Sequence, residues 1–104
     1  MNKKIALIGG TGPEGKGLAK RFAISGNEIY IGSRNKERGE EIALELKNEL
    51  KENYSNITIE GGANDEMAKQ ATICIIVVPY SAHQETLEQI KEFLENKIII
   101  DAVV

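Results

Sequence analysis

Short apolar runs alternate along the chain with stretches in which apolar residues recur at helical spacing. The apolar runs predict buried strands over residues 4–9, 28–32, 56–60, 73–78 and 97–102. Apolar residues three and four positions apart predict helices over residues 13–25, 35–52, 64–70 and 81–95. Ser81 followed by Gln84 is interpreted as a capping box at the start of the last helix.

Strands that alternate with helices favour parallel pairing through right-handed crossovers. The run ICIIVV at residues 73–78 is apolar throughout, so it must be covered on both faces, as central strands of parallel sheets are. The length of 104 residues suits one hydrophobic core. The sequence therefore predicts a single doubly wound α/β domain over residues 1–104, Rossmann-like, with strand order 3-2-1-4-5.

Composition narrows the classes of protein that remain. No apolar run approaches the roughly 18 residues that span a bilayer, and the apolar run near the N-terminus is too short for an export signal. One cysteine, Cys74, cannot form an internal disulfide, and with one histidine it cannot supply a zinc cluster. We expect a reduced, cytoplasmic, metal-free protein with no membrane partner, and Cys74, in mid-strand, is predicted to lie in the core.

Positive charge is concentrated in the first 40 residues, which hold eight Lys and Arg against four Glu, a net charge of +4. The remaining residues hold five basic and twelve acidic side chains, so the whole chain has a net charge of −3. An acidic chain with three Tyr and two Phe is a poor candidate for binding nucleic acid. The basic N-terminal part suits a small anionic ligand.

A GxGxxG sequence, GTGPEG, lies at residues 10–15 between a predicted strand and a predicted helix. Gly10 is expected to permit the tight turn, Gly12 to let the backbone approach a pyrophosphate, and Gly15 to let the helix pack closely on the strand. Pro13 suits the first helical turn, where its missing N–H costs nothing. The free N–H groups and the positive helix end attract phosphate. The motif therefore predicts a dinucleotide site.

Two other interpretations of the glycine motif stay open. One is a glycine-rich turn without a ligand. The other is a P-loop, because residues 10–16 also fit GxxxxGK. Gly17 stands where a P-loop needs Ser or Thr to hold magnesium, and no acid follows the strand at residues 73–78, so a nucleotide triphosphatase is disfavoured.

The end of the second predicted strand indicates which dinucleotide is preferred. An acidic residue there would accept hydrogen bonds from the ribose 2′-hydroxyl, but the chain has Ser33 and Arg34, with Arg38 one helical turn later. A hydroxyl and two guanidinium groups favour a 2′-phosphate and hence NADP over NAD. The alternative is that these are surface cations near a helix start. Asn35 is interpreted as the cap of the helix that follows.

The segment after the fourth predicted strand lies where the strand order reverses, which is where ligands of doubly wound sheets bind. Val78 and Pro79 are expected beside the nicotinamide. Tyr80 offers a flat apolar surface, or is a packing residue. His83, the only histidine, stands in the first turn of the next helix and either contacts the ligand or is exposed to solvent.

The segments KIALIGGTGPEGKGLAKRFAISGNEIYIGSR, VVPYSAHQETL and IIIDAVV resemble the N-terminal domain of NADPH-dependent coenzyme F-420 reductases, the deazaflavin-linked NADP oxidoreductases. The resemblance covers nearly the whole chain, with the glycine loop, GSR and VPY at similar spacing. It implies hydride transfer between a reduced 5-deazaflavin and NADP. No side chain then acts as acid or base, and the protein holds two rings face to face.

The resemblance also assigns residues to the parts of NADP. The pyrophosphate is implied to lie on Thr11, Gly12, Pro13 and Glu14. The 2′-phosphate is implied to lie on Ser33, Arg34 and Arg38. The nicotinamide end is implied to lie by Val78, Pro79 and Tyr80.

The sequence departs from this family in two respects. Glu14 puts a carboxylate beside the expected pyrophosphate, where a neutral residue is commoner. The family's smaller C-terminal domain, which helps to enclose the deazaflavin and joins two subunits, is absent from the sequence. The chain is then a fragment, a truncated product or a free-standing NADP-binding module. A homodimer or a partner chain is expected. A non-catalytic NADPH-sensing module and the NADP-binding part of another reductase are the alternative functions.

Overall fold

Within residues 2–102, which the computed structural model describes apart from the side chain of Tyr80, five strands alternate with four α-helices. The strands are β1 Lys4–Ile8, β2 Glu28–Ser33, β3 Thr58–Ala63, β4 Ile73–Ile76 and β5 Ile98–Asp101. The helices are α1 Pro13–Ile24, α2 Lys36–Leu50, α3 Asn64–Gln70 and α4 Tyr80–Ile90, the last followed by a 3₁₀ turn over Lys91–Phe93.

The strands form one parallel sheet in the order β3-β2-β1-β4-β5. In its centre, Ala6 of β1 lies opposite Tyr30 of β2 and Cys74 of β4. The predicted fold class and strand order are confirmed. The carboxyl ends of β1 and β4 flank the point at which the strand order reverses, and this point faces the segments that carry the predicted ligand contacts.

Helices cover the sheet in two layers. Helices α1 and α2 pack on one face, where Leu7, Ile42 and Leu46 are at most 1% exposed. Helices α3 and α4 pack on the other face, around Ile90 and Cys74, both fully buried. Burying each such aliphatic side chain contributes roughly 1.5 to 3 kcal/mol. The core position predicted for Cys74 is confirmed, and burial raises the pKa of its thiol.

Strand β3 begins two residues later than predicted and extends three residues beyond the predicted end at residue 60, over two glycines and Ala63. The reason is the close approach of α2. A Cβ built on Gly61 would overlap the carbonyl oxygen of Gly39 in α2. A glycine therefore occurs inside this strand because the backbone of α2 packs directly against it and leaves no room for a side chain.

The capping box predicted at Ser81 and Gln84 is wrong. Helix α4 begins at Tyr80 with Pro79 as its N-cap, and among the described side chains none caps it. Ser81 is exposed within the first turn, and the Gln84 amide donates a hydrogen bond to Glu88 instead. The φ of Pro79 is fixed at −57°, and the helix begins directly after this proline, at the residue before Ser81. The helix also ends earlier than predicted, at Ile90, where the chain tightens into the 3₁₀ turn.

Candidate functional site

A tight turn joins β1 to the glycine motif. The N–H of Gly10 donates to the carbonyl of Leu7 at 3.2 Å, and Gly9 has a φ of +72°. A positive φ at this place is typical of the third residue of a type II turn, which favours glycine. The left-handed residue is therefore Gly9, one position before the predicted Gly10. Glycine is required at position 10 for a different reason, because a Cβ there would lie 2.8 Å from the Leu7 carbonyl oxygen.

Helix α1 begins directly after this turn. Gly12 is its N-cap in an extended conformation, and Pro13 is its first residue, as predicted. A Cβ on Gly12 would meet nothing within 4 Å, so this backbone is open to a ligand. A Cβ on Gly15 would overlap the Gly10 carbonyl oxygen, so the close packing predicted for Gly15 occurs, against the glycine loop. The first-turn N–H groups have no partner inside the helix and can serve an anion.

The end of β2 is organised by short hydrogen bonds. Ser33 is 7% exposed, and its Oγ accepts the N–H of Asn35 at 3.1 Å. The Asn35 side chain accepts the N–H of Arg38 at 3.0 Å, which confirms the predicted cap of α2. Arg34, between them, is exposed. The local backbone therefore holds the serine hydroxyl and the arginine at one corner of the sheet.

Arg38 has a partner within its own helix. Its Nη1 lies 3.2 Å from Glu41 Oε1, and the two side chains are 48% and 70% exposed. An exposed pair of this kind contributes about 1 kcal/mol or less. A ligand phosphate can therefore compete for the guanidinium. Arg34 takes part in none of the ion pairs among residues 2–102.

A cleft of about 670 Å³ lies between the glycine turn, the end of β2 and the start of α4. It opens at the carboxyl edge of the sheet, at the reversal of strand order. Six of the predicted site residues line it: Thr11, Ser33, Arg34, Arg38, Val78 and Pro79. The structure thus brings the segment after β1, the end of β2 and the segment after β4 to one cavity.

The other predicted residues lie around the cleft rather than on its wall. Gly10 and Gly15 are buried beneath the turn, and Gly12, Pro13 and Glu14 are exposed at the start of α1. Their contacts with a ligand stay predictions. The side chain of Tyr80 lies outside the described part of the structure, so its predicted role is not addressed.

His83 turns toward β5. Its Nε2 lies 2.8 Å from Oδ2 of Asp101 at the end of that strand, although the ring N–H is not aligned for a hydrogen bond. It is not part of the cleft wall. The predicted contact between His83 and the nucleotide therefore has no support from this geometry.

The prediction missed residues that line the cleft from two helices. Asn64 opens α3, and Glu85 lies on the exposed side of α4. Asn64 follows β3 directly, but the predicted strand ended at residue 60, so the sequence did not place Asn64 at the edge of the sheet where ligands bind. Glu85 could be found only once the direction of α4 was known. Among residues 2–102 no group of three or more His, Cys, Asp or Glu could hold a metal ion, and no helix is long and apolar enough to cross a membrane.

The parallel sheet, the glycine turn and the cleft at the strand reversal define a Rossmann-like domain. The fold is similar to that of a lactate dehydrogenase, MGS-M5, from a Medee basin deep-sea metagenome library, with a TM-score of 0.79 and 19% identity over 98% of this chain and 38% of that one. It is also similar to that of the (S)-3-hydroxybutyryl-CoA dehydrogenase PaaH1 of Ralstonia eutropha, with a TM-score of 0.67 and 22% identity over 95% of this chain and 40% of that one. At these identities the likeness concerns the fold.

Residues 4–104 match the family described as NADP oxidoreductase, coenzyme F420-dependent, and the chain belongs to this family. It is 40% identical to an F420-dependent NADP reductase of Methanothermobacter thermautotrophicus over 100% of this chain and 44% of that protein. It is 43% identical to one from Methanocaldococcus jannaschii over 93% of this chain and 43% of that protein. The resemblance predicted from the motifs is confirmed, and the chain spans less than half the length of these relatives.

Proposed function

We propose that this chain is the NADP-binding part of an oxidoreductase that transfers a hydride between reduced coenzyme F420 and NADP. The observation that carries the proposal is the match of residues 4–104 to the F420-dependent family, together with a cleft at the position where doubly wound sheets bind nucleotides. Curated relatives of 40% and 43% identity are named F420-dependent NADP reductases. We place this activity in the cytoplasm, in a homodimer or with a partner chain.

The adenosine end of NADP is proposed to lie at the end of β2. Ser33 accepts a hydrogen bond from Asn35, which leaves its hydroxyl proton free to be donated to a phosphate oxygen. The guanidinium of Arg34 can form two parallel hydrogen bonds to the same phosphate. β2 ends at Ser33 without an acidic residue that would select the 2′-hydroxyl of NAD. Arg38 would add a weaker contact, since it must leave Glu41.

The pyrophosphate is proposed to lie over the start of α1. Thr11 reaches the cleft wall, and the open Gly12 backbone lets the phosphates come within hydrogen-bonding distance of the first-turn N–H groups. The carboxylate of Glu14 is exposed and can turn to solvent, which limits its repulsion of the phosphates.

The nicotinamide is proposed to lie against Val78 and Pro79. When both ligands are bound, the deazaflavin would supply a hydride that NADP accepts, and the ring proton that the oxidised deazaflavin loses would pass to solvent. No side chain therefore has to gain or lose a proton. The chain's own contribution is to hold the ring in place and to exclude water on its apolar wall.

Calorimetric titration of the chain with NADP and with NAD tests the binding step. We expect NADP to bind at least about tenfold more tightly, because Arg34 and Ser33 meet only the 2′-phosphate. Equal affinity for the two nucleotides, or no binding of either, would contradict the proposal.

Turnover tests the chemical step separately. The chain is mixed with reduced F420 and NADP, and the absorbance of both is followed. Reduction of NADP at the expense of F420 supports the reductase. Tight NADP binding without turnover by these 104 residues would favour the alternative of a nucleotide-binding module.

A further inference from the structure

Asn64 is the polar side chain most deeply buried at the cleft. It is 3% exposed, although asparagine is usually found at the surface. It is the first residue of α3 and reaches across the carboxyl edge of the sheet from the end of β3. A buried amide needs hydrogen-bond partners, so its contacts indicate what it does.

The amide of Asn64 binds the turn that leads into the glycine loop. Its Oδ1 accepts the backbone N–H of Gly9 at 3.0 Å, a contact between residues 55 positions apart in sequence. Gly9 is the residue with the left-handed φ of +72°. A backbone N–H in an irregular turn has no partner in the sheet, and Asn64 supplies one.

The same side chain contacts the end of β2. A Cβ built on Gly32 would lie 2.6 Å from Asn64 Oδ1 and 3.0 Å from its Cα, so residue 32 has to be glycine. The carbonyl of Gly32 in turn accepts the N–H of Gly10 at 3.1 Å. Asn64, Gly9, Gly10 and Gly32 therefore form one connected group between the glycine loop and the strand that leads to Ser33.

We infer that Asn64 is a positioning residue for the pyrophosphate: its carboxamide oxygen fixes the Gly9 turn and thereby sets the direction in which the α1 N–H groups face the cleft. The inference rests on the proposed NADP binding at this cleft. It requires no contact between Asn64 and the nucleotide. A misplacement of the loop by 1 Å is enough to weaken the hydrogen bonds made by the first turn of α1.

Two ligands separate this role from a general structural role. NADP uses the glycine loop and the end of β2, whereas adenosine 2′-monophosphate has no pyrophosphate and uses only the end of β2. We expect Asn64→Ala to weaken NADP binding at least tenfold in calorimetry and to change binding of adenosine 2′-monophosphate less than twofold. An equal loss of affinity for both ligands, or an unchanged affinity for NADP, would overturn the inference.

Asn27→Ala is the matched control. Asn27 makes the equivalent contact at the opposite edge of the sheet, where its Oδ1 accepts the N–H of Lys3 at 3.0 Å. The Asn27 amide also donates to the carbonyl of Phe22 at 3.0 Å, so the variant loses two hydrogen bonds from side chain to backbone, and Asn27 is not part of the cleft wall. We expect it to bind NADP like the parent chain, and a loss of NADP affinity equal to that of Asn64→Ala would also overturn the inference.

Hydrogen exchange of the Gly9 amide tests the contact itself. Asn64→Asp keeps an oxygen that can accept from Gly9, so we expect its Gly9 amide to exchange as slowly as in the parent chain. In Asn64→Ala we expect exchange at least tenfold faster. Equal exchange rates in the Ala and Asp variants would contradict the assigned hydrogen bond. If the parent chain binds neither NADP nor adenosine 2′-monophosphate, the proposed function fails, while the exchange result still decides the contact.

Discussion

The two edge strands of the sheet both contain isoleucine, but these isoleucines are buried to very different extents. In β3, Ile59 is 1% exposed. In β5, Ile98, Ile99 and Ile100 are 61%, 41% and 46% exposed. Both strands pair with one neighbour only, so the difference in burial does not come from strand pairing. It comes from the helix layer, because α2 packs against β3 through the contact between Gly39 and Gly61.

This comparison shows that an apolar run predicts a strand but does not predict how far that strand is covered. Coverage depends on a helix that can approach closely enough, and in this chain the glycines permit that approach. The residues assigned to the 2′-phosphate lie beside the covered edge, at the end of β2. The other edge presents apolar surface to solvent.

The largest effect is expected from truncating matched isoleucines on the two edges. Ile59→Ala should lower the free energy of unfolding by about 2 to 5 kcal/mol, since a fully buried side chain leaves a cavity. Ile99→Ala should cost about 1 kcal/mol or less, because much of its surface is already in water. Urea unfolding followed by circular dichroism measures both. Equal losses would show that β5 is covered in solution.

The charges at the end of β2 should account for the preference for NADP. Arg34→Ala should weaken NADP binding about ten- to a hundredfold, the equivalent of about 1.5 to 3 kcal/mol for charge-assisted hydrogen bonds, and leave NAD binding unchanged. Arg38→Ala should have a smaller effect because Arg38 is already paired with Glu41. Lys91→Ala, which removes an exposed cation in the 3₁₀ turn after α4, is the control in the same calorimetric titrations. A similar loss in all three variants would indicate a general effect of charge.

Lys97, just before β5, is expected to stabilise the contact between this exposed edge strand and the C-terminal end of α3. The Lys97 ammonium donates hydrogen bonds to the carbonyls of Ala68, Lys69 and Ala71 at the end of that helix. A cation at a helix C-terminus with several carbonyl partners contributes about 1 to 2 kcal/mol. Lys97→Met should lower the free energy of unfolding by this amount, while Lys91→Met should lower it by less than about 0.5 kcal/mol. Equal values for the two variants would exclude the capping role.

The smallest effect is expected at high pH and concerns β2. Burial raises the pKa of Tyr30 to about 12, helped by its hydrogen bond to Glu28 at 3.1 Å. Because the folded pKa is above the usual value near 10, the contribution of Tyr30 is complete below pH 10 and is lost as the pH rises toward 12. We expect stability to fall more steeply over this range in the parent chain than in Tyr30→Phe. If the stability of the two proteins depended on pH in the same way, the raised pKa of Tyr30 would be contradicted.

The fold could be predicted well from the sequence because its signals are local and repeated. The strands β1, β2, β4 and β5 are rich in apolar residues, and each long helix shows its inward face, such as Ile42 and Leu46 in α2. The errors occur where tertiary contacts decide, as at Gly61, which the sequence suggests to be a strand end and the packing of α2 places inside β3.

The candidate site was predicted in part for the same reason. Ser33 and Arg34 come directly after one predicted strand and Pro79 directly after another, so the topology alone brings them to the cleft. Asn64 acts through a contact with Gly9 across 55 residues, and no local pattern marks such a contact. His83 shares its helix with cleft residues but faces Asp101, because the direction of a helical side chain depends on how the whole helix is rotated.

The thiol of Cys74 is the only one in the chain and lies between β1 and β5 in the middle of the sheet. Its raised pKa and its burial keep it protonated and out of reach of alkylating reagents while α3 and α4 cover it. Every alkylation event therefore requires that the layer formed by α3 and α4 move away from this face of the sheet. The native cysteine thus provides an internal chemical probe whose labelling rate, with and without nucleotide, reports how often the domain opens.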